Sequence, residues 1–317
     1  MRVTTVTLNP AIDMTIRLAE PLARGTVNLA QSVGEAPGGK GINVASFLAD
    51  WGVDVTVTGL LGSGNARIFD ELFGEKRMLD KFVRVEGNTR TNVKIVDGNE
   101  TTDVNLPGLS ANYSALYSLE STLQDIVSQS EKPCIIALSG SLPRDCPTEI
   151  YARLVEKLQR AGGRVILDTS GEALVSALEA PIKPFYVKPN KSELESWCGR
   201  PIETREDLIY ESRGLLASGV KLVAISMGAD GALFLSEDEV LFAQKKVQRP
   251  GSTVGAGDSM VAGIIAAICE GGDLERIARL GTAFAVARVD SDFPDGPREH
   301  SSIERIASTV EIRNINP

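Results

Sequence analysis

From residue 119 onward, short apolar strands alternate with amphipathic helices, and this alternation is the feature that most limits the fold. Buried strands separated by helices are typical of a parallel sheet, because each crossover between parallel strands needs a helix that then covers one face. The predicted strands span 134–138, 165–167, 185–187 and 222–225, and the predicted helices span 119–128, 148–160, 205–217 and 257–270.

Each predicted strand ends in polar or glycine-containing residues, at 139–141, 168–170, 188–190 and 226–228. The carboxyl ends of parallel strands meet at one edge of the sheet, which is where open α/β folds bind ligands. A further strand over 3–8 ends in Asn9-Pro10, a turn signal, and Asp13 follows. Asp13 is therefore a candidate ligand contact at the same edge, or alternatively a turn or capping residue.

Two segments, at about 14–34 and 84–106, interrupt the alternation with short β-type runs that lack a helical period. In the second, two strand-like runs flank Asp97-Gly98-Asn99, a good hairpin signal. The two segments predict a small separate sheet. Such a sheet either covers a site as a lid or pairs with another subunit.

The stretch STVGAGDSMVAG, residues 252–263, joins flexible glycines to an apolar run that is compatible with a helix. Gly255 and Gly257 flank Ala256, so the backbone can approach a ligand closely where the helix begins. A helix N-terminus has unpaired N–H groups and a partial positive charge, which together form an anion site. Asp258 then stands where a general base would be needed for phosphoryl transfer, although an aspartate in a first turn is also a common cap.

A second glycine-rich segment, GGKGIN at residues 38–43, precedes a predicted helix. It nearly matches a P-loop, but Gly41 stands where serine or threonine would hold magnesium, so a P-loop nucleotidase is not expected. Gly39, Lys40 and Asn43 remain a candidate site for a polyol and a phosphate; the alternative is a tight loop with a solvated lysine. The run GLLGSG at 59–64 lacks the spacing of a dinucleotide fingerprint, so an NAD-dependent enzyme is not expected.

Composition excludes several classes of partner and of catalytic residue. The net charge of −9 over 317 residues argues against a nucleic-acid partner, and no apolar run is long enough to span a membrane. The single histidine, His300, lies among polar residues near the C-terminus, so a general base is expected to be a carboxylate. Four scattered cysteines without a CxxC pair, and a strand pattern that begins without a charged leader, predict a cytoplasmic protein.

Six segments occur in order across nearly the whole chain: TLNPAID, GGKGINVA, SGSLP, VKPNKSEL, SMGADGAL and STVGAGDSMVAG. Together they closely resemble the ribokinase-like (PfkB) family of carbohydrate kinases. The resemblance implies one domain over residues 1–317, an α/β three-layer sandwich with a mostly parallel central sheet and a small β-sheet lid. It also implies ATP and Mg²⁺ as cofactors, and phosphorylation of a hydroxymethyl group.

The resemblance also implies roles for individual residues. Asp258 resembles the catalytic base, and the anion hole is Gly255, Ala256 and Gly257. Sugar hydroxyls are held by Asp13, Gly39 and Asn43, and the phosphate of the sugar by Lys40 and Arg90, with assistance from Ser139. The ATP phosphates and a water-mediated magnesium ion are held by Lys188, Asn190 and Glu193, with Asn190 and Glu193 nearest the metal. The other nucleotide contacts are Ser226, Gly228 and Gly231.

Some of these residues also have simpler structural interpretations. Arg90 alone would be read as a solvated arginine, and the spacing of Asn190 and Glu193 also suits a helix cap. Asn65 stands near a position that is acidic in many relatives, so no role is carried over to it. The tail over 290–300 departs from the usual family ending, so contacts to the adenine are left unassigned there.

The substrate expectation is a phosphorylated ketohexose, because Lys40 and Arg90 supply the cations that a neutral sugar would not need. TLNPAID, RTNVK and TDVN are most similar to members that convert fructose 1-phosphate to fructose 1,6-bisphosphate. Kinases of tagatose 6-phosphate and of fructose 6-phosphate are the alternatives. A non-catalytic sugar-phosphate sensor is the alternative from a different class. A homodimer formed through the lid is a further expectation.

Overall fold

A long sheet forms the centre of the computed structural model, which describes residues 2–98, 100–129, 134–291 and 300–316. Most of its inner strands are fully buried and aliphatic, as a sheet covered on both faces requires. In chain order the strands of the molecule are β1 (Val3–Thr7), β2 (Ala11–Leu18), β3 (Ala30–Gly38), β4 (Val55–Gly62), β5 (Leu79–Asp80), β6 (Val83–Val85), β7 (Arg90–Asp97), β8 (Glu100–Asn105), β9 (Ile135–Ser139), β10 (Arg164–Asp168), β11 (Tyr186–Val187), β12 (Leu222–Ser226), β13 (Ala232–Leu235), β14 (Val240–Gln244) and β15 (Glu311–Asn314).

The central sheet has the strand order β15-β14-β13-β12-β11-β10-β9-β1-β4-β5, and β6 also pairs with β4. All pairs from β5 through β12 are parallel, whereas β12 to β15 pair antiparallel at one edge. The prediction of a mostly parallel central sheet is therefore confirmed.

Ten helices in the described residues cover the two faces of this sheet: α1 (Lys40–Asp50), α2 (Arg67–Glu75), α3 (Tyr113–Ser128), α4 (Ile150–Arg160), α5 (Glu172–Glu179), α6 (Lys191–Cys198), α7 (Arg205–Ser218), α8 (Ala256–Glu270), α9 (Leu274–Val289) and α10 (His300–Ser308). The apolar side chains of α1, α2, α8, α9 and α10 form one buried cluster with the sheet, and those of α3 to α7 form the other. The resulting three layers confirm the predicted sandwich. Within the described ranges, no helix is both long and apolar enough to cross a bilayer.

Helix α3 begins six residues earlier than the predicted start at 119. Asn112 is its N-cap, and the Asn112 side chain accepts a hydrogen bond of 2.8 Å from the N–H of Ala115. The first two turns carry the exposed side chains of Tyr113 and Tyr117, so the apolar period there is weak. The cap thus fixes a helix start that periodicity alone does not reveal.

A second sheet of four strands, in the order β3-β2-β7-β8, stands apart from the central sheet. Strands β7 and β8 form the hairpin predicted around residue 98, with Asp97 opposite Glu100; Asn99 lies outside the described residues. The sheet's first two strands begin at Ala11 and end at Gly38, beyond the predicted limits of 14–34. Residues 83–85, by contrast, pair with β4 of the central sheet.

The small sheet is attached to the central sheet at its base by a reciprocal pair of hydrogen bonds. The Asn65 side chain donates to the carbonyl of Thr89 at 2.9 Å and accepts from its N–H at 2.8 Å. Asn65, to which no catalytic role was assigned, therefore holds the chain just before β7.

The strand order reverses beside β1, because β4 lies on one side of it and β9 on the other. A reversal of this kind leaves a crevice at the carboxyl ends of the strands, where ligands bind in open α/β folds. The N-terminus of α1 and the segments that follow β9, β10 and β11 all lie at this edge. The fold therefore brings residues from distant parts of the sequence to one place.

Candidate active site

Helix α8 begins at Ala256, directly after the glycine that the sequence singled out. Gly255 is the N-cap and has φ 82°, a left-handed conformation that other residues adopt only at a cost. The N–H of Ala256 donates to the carbonyl of Thr253 at 3.1 Å, so this group is already used. The N–H groups of Gly257 and Asp258 have no acceptor among the described residues, as expected at a helix N-terminus. These free donors form a site for an anion.

Asp258 lies in the first turn of α8, and its side chain is only 6% exposed. The side-chain amide of Asn43 donates to Asp258 Oδ2 at 2.8 Å, which joins α1 to α8. Burial raises the pKa of Asp258 to about 6, and the nearby negative charge of Asp168 raises it as well, whereas Asn43 opposes the shift. A carboxylate with a pKa near neutrality is well suited to accept a proton in catalysis.

A second buried carboxylate, Asp168 at the end of β10, holds two lysines. Lys40 Nζ lies 3.3 Å from Asp168 Oδ2, within hydrogen-bond distance. Lys188 Nζ lies 3.3 Å from Asp168 Oδ1, as an ion pair without a well-directed hydrogen bond. The side chains of Asp168 and Lys188 are 1% and 5% exposed, so this ion pair is almost fully removed from water, whereas the Lys40 side chain is 39% exposed.

The charges in this cluster change one another's titration. Burial alone would raise the pKa of Asp168, but Lys188 and Lys40 outweigh it and hold the pKa below its ordinary value. Burial also lowers the pKa of Lys40, while Asp168, Asp258 and Glu193 outweigh that effect and raise it. Lys40 therefore remains a cation that links the Asp258 side of the site to the Glu193 side.

Asp168 was not among the predicted site residues, although its strand end was recognised as polar. The signal that identifies it is structural: β10 lies between β9 and β11, directly beside the strand end that carries Lys188. The sequence does offer one signal, because Asp168 directly follows the apolar residues 165–167 of its strand.

Asp13 and Arg90 lie on neighbouring strands of the small sheet. Asp13 Oδ1 accepts a hydrogen bond of 3.0 Å from the side chain of Asn92, which stands directly opposite on β7. A Cβ at Gly38 would lie 2.3 Å from Asp13 Oδ2, so glycine there makes room for the carboxylate. Asn92 was not predicted, but its i+2 spacing from Arg90 on one strand places both side chains on one face.

Arg90 is held only weakly in the described structure. Its Nε and Nη2 donate to the carbonyls of Pro10 and Asn9, each at 3.4 Å, which is long for a hydrogen bond. Burial lowers the pKa of Arg90, and the charge of Asp13 opposes that effect. The guanidinium is thus partly desolvated beside the Asn9-Pro10 turn and keeps N–H groups for another ligand.

The N-terminus of α6 carries Asn190 and Glu193 in a reciprocal capping box. Asn190 Oδ1 accepts from the N–H of Glu193 at 2.9 Å, and Glu193 Oε2 accepts from the N–H of Asn190 at 2.8 Å. The alternative interpretation of their spacing, a helix cap, is therefore confirmed. The other Glu193 oxygen and the amide N–H groups of Asn190 have no partner in the described chain, so the pair can still contact a ligand.

Magnesium retains several waters and takes few protein ligands when it is bound with a nucleotide. No three His, Cys, Asp or Glu side chains of the described residues converge as a metal cage would require. A single carboxylate oxygen of Glu193 fits a water-mediated contact to such an ion. The residues present therefore fit a magnesium ion that is bound mainly by phosphates and water.

The remaining predicted residues lie in three different parts of the fold. Ser226 ends β12 and forms a bridge with Asn190, and Gly228 and Gly231 bound the short turn that follows. Gly39 is the N-cap of α1, with φ 120°, and a Cβ there would lie 2.9 Å from Thr7. Ser139 is fully buried, and its Oγ has no partner in the described structure. Most of the tail over 290–300 lies outside the described residues.

Comparison with known proteins identifies the family. Residues 6–293 match the model of the pfkB family carbohydrate kinases. The chain belongs to this family. It is therefore a carbohydrate kinase, an enzyme that transfers a phosphoryl group to a sugar hydroxyl, and the predicted resemblance is confirmed.

Relatives in the pfkB family match almost the full length of this chain. A 1-phosphofructokinase of Xanthomonas campestris is 47% identical over 305 residues, which covers 93% of this chain and 95% of that protein. A 1-phosphofructokinase of Rhodobacter capsulatus is 42% identical and covers 100% and 99%. The crystal structure of phosphofructokinase-2 from Escherichia coli in complex with fructose-6-phosphate has a TM-score of 0.86 at 28% identity and covers 97% and 98%.

Proposed function

We propose that this pfkB kinase phosphorylates fructose 1-phosphate at its 6-hydroxyl with MgATP and forms fructose 1,6-bisphosphate and ADP. The observation that carries the chemistry is the carboxylate of Asp258, buried beside free N–H groups at the N-terminus of α8. The similarity to 1-phosphofructokinases over nearly the full chain supports the choice of substrate.

Asp258 accepts the proton of the 6-hydroxyl as its oxygen bonds to the γ-phosphorus of ATP, and the bond from that phosphorus to the β,γ-bridging oxygen breaks. The carboxylate has its pKa raised to about 6, so it is ionised at neutral pH and still able to take a proton. Asn43 holds the Asp258 side chain in place through the 2.8 Å hydrogen bond. The N–H groups of Gly257 and Asp258 stabilise the charge of the transferring phosphoryl group.

Different polar and charged residues bind the sugar and the nucleotide. Asp13 accepts hydrogen bonds from the sugar hydroxyls, and Asn92 donates to them. Arg90 binds the sugar 1-phosphate through its planar guanidinium. We place Lys40 and Lys188, both held by Asp168, beside the transferring phosphate. The sugar phosphate, which the sequence analysis assigned to Lys40 and Arg90 together, is then left to Arg90. Glu193 would hold Mg²⁺ through water, and the bound ion would supply positive charge to the ATP phosphates.

We further propose that two copies pair through the small sheet, which acts as a lid. The register places Val33, Ile16 and Ile95 in one row of one face, and Val93 and Val104 in the next row. Val33 is 57% exposed and Val104 is 45% exposed, so this apolar face lacks a covering layer in one chain. Sedimentation of wild type and of Val33→Asp tests the pairing; a monomeric wild type contradicts it.

All four cysteines are unpaired, which suits a reducing compartment, and we propose that the enzyme works in the cytoplasm.

A substrate panel with ³¹P NMR of the products tests the proposed reaction. Fructose 1-phosphate, fructose 6-phosphate, tagatose 6-phosphate and unphosphorylated fructose are each supplied with MgATP. We expect the highest kcat/KM for fructose 1-phosphate and a new phosphate signal at C6. A preference for tagatose 6-phosphate, for fructose 6-phosphate or for the neutral sugar would contradict the substrate, and absence of turnover with every sugar would contradict the activity.

A further inference from the structure

Arg288, in the last turn of α9, lies against the glycine that caps the anion site. A Cβ built on Gly255 would lie 3.4 Å from Arg288 Nε, so the guanidinium stands directly beside the start of α8. The Arg288 side chain is partly buried. Neither the family motifs nor the charge cluster around Asp168 includes this arginine.

The backbone fixes Arg288 relative to the anion site. The two residues that follow Arg288 pair with the loop before α8. The carbonyl of Val289 accepts a hydrogen bond of 2.7 Å from the N–H of Gly251, and Asp290 forms an antiparallel bridge with Pro250. The paired segment at 249–251 leads within a few residues to Gly255. The end of α9 and the loop that opens α8 therefore keep a defined distance, which holds the backbone of Arg288 near Gly255.

Two cations thus flank the same turn from different elements. On one side, Lys188 Nζ would lie 3.5 Å from a Cβ at Gly257, and this ammonium is ion-paired with Asp168. On the other side, Arg288 has no hydrogen bond or ion pair with any residue that the structure describes. In a chain of net charge −9, a partly buried arginine next to the residue that caps this helix N-terminus is placed to bind an anion.

We propose that Arg288 is a phosphate-binding residue that contacts the β-phosphate of the nucleotide. This inference rests on the proposed function, in which the nucleotide's phosphates reach the anion site at the N-terminus of α8. A guanidinium presents its N–H donors in a planar fork that matches two phosphate oxygens, and it remains charged at any physiological pH. Arg288 thereby supplies to the nucleotide a cation that no carboxylate of the described chain already neutralises.

If Arg288 only stabilised the end of α9, its substitution would have a different effect. A basic side chain in the last turn of a helix interacts favourably with the helix dipole and stabilises the fold by a small amount. Arg305 offers a matched control, because it stands in the last turn of α10 and its side chain is exposed. The two roles separate because one changes nucleotide affinity and the other changes the melting temperature.

The test compares the affinities of ADP and AMP, measured by calorimetry, for wild type, Arg288→Ala, Arg288→Lys and Arg305→Ala. AMP lacks the β-phosphate, so it reports on the rest of the nucleotide site. We expect Arg288→Ala to weaken ADP by roughly tenfold to a hundredfold, as for loss of a charge-assisted hydrogen-bond partner, and to change AMP by less than about twofold. Arg288→Lys is expected to lie between, and Arg305→Ala to match wild type.

The proposal is overturned if Arg288→Ala leaves ADP affinity within about twofold of wild type, or weakens ADP and AMP by the same factor. A lower melting temperature with unchanged ADP affinity also overturns it and assigns Arg288 to the helix end. ADP binding requires no sugar turnover, so this outcome is separate from the substrate panel. Wild type that binds ADP but phosphorylates no sugar would contradict the proposed function alone.

Discussion

The floor of the candidate site and the small sheet above it are built in opposite ways. On the floor, Asp168, Lys188 and Asp258 are almost fully buried and hold fixed partners at short distances. On the small sheet, Asp13 is exposed and Arg90 makes only two long hydrogen bonds to backbone carbonyls. The groups proposed to act on the transferring phosphate are thus preorganised, whereas those proposed to recognise the sugar remain available to it.

This contrast has a physical reason. Charges that stabilise a transition state are most effective when they are already oriented in a site from which water is excluded. Groups that select a substrate must be reached by it and must exchange water for its hydroxyls and phosphate. Substitutions on the floor are therefore expected to reduce kcat, and also stability where a buried charge loses its partner. Substitutions on the small sheet are expected to reduce sugar recognition.

The largest effect is expected from Asp258→Asn. The new amide oxygen can still accept the hydrogen bond from Asn43, so the fold and the sugar affinity should be retained. Without a general base, kcat should fall by roughly a hundredfold to ten-thousandfold. Steady-state kinetics and a melting curve check this, and a variant that kept more than about a tenth of the wild-type kcat would rule out the assigned base.

Asp168→Asn is expected to damage the floor as a unit. Lys188 would be left buried without its carboxylate, which costs about 3 kcal/mol of the free energy of unfolding. Urea denaturation measures this loss. In the double variant Asp168→Leu with Lys188→Met the unpaired charge is removed, so stability should recover while activity does not. If the single variant were as stable as wild type, the ion pairs would not have the structural weight given to them here.

Arg90→Ala tests the small sheet in the same way. Loss of a bidentate phosphate contact should lower kcat/KM for fructose 1-phosphate by roughly tenfold to a hundredfold and leave the KM for ATP nearly unchanged. Arg90→Lys keeps the charge without the fork and should recover part of the loss. Arg17→Ala, an exposed arginine on the same sheet, is the matched control. Equal losses in both alanine variants would remove the specific role of Arg90.

The smallest effect is expected from Glu193→Gln. Glutamine can occupy the third position of a capping box, so the reciprocal bonds with Asn190 and the start of α6 should persist. The loss of charge should raise the magnesium concentration needed for half-maximal rate by several-fold, with little change in the KM of the sugar. A magnesium titration at fixed ATP checks this prediction; superimposable curves for wild type and variant would exclude Glu193 from the metal site.

The sequence predicts the start of α8 well because its signal is local. Two glycines, an aspartate and an apolar run lie within twelve residues, so the helix N-terminus and Asp258 follow from neighbouring positions. The alternation of strands and helices likewise predicts the parallel part of the sheet. The antiparallel edge formed by β12 to β15 is not predicted: β13 and β14 are not among the predicted strands, and β15 comes from the far end of the chain.

The contacts of Asp168 are beyond the reach of such patterns. Lys40, Asp168 and Lys188 are separated by 128 and 20 positions, and only the order of the strands brings them together. The same holds for Arg288, whose position beside Gly255 depends on how α9 packs against the loop before α8. Residue types can be recognised from sequence, but these pairings require the tertiary structure.

We propose that Asp258 is the general base and that burial and the neighbouring charge of Asp168 raise its pKa. The carboxyl group must be ionised to act, so kcat/KM for the sugar should fall as the pH drops below about 6. Asparagine at position 168 removes a like charge, so the pKa of Asp258 should fall and the acid limb should move to lower pH.

The most direct measurement is the pH dependence of kcat/KM for wild type and Asp168→Asn, each normalised to its own maximum. A sugar phosphate also titrates near pH 6, but that titration belongs to the substrate and cancels in the comparison. We expect the acid limb to lie at lower pH in Asp168→Asn than in wild type. Acid limbs that coincide, or a shift to higher pH in the variant, would contradict it.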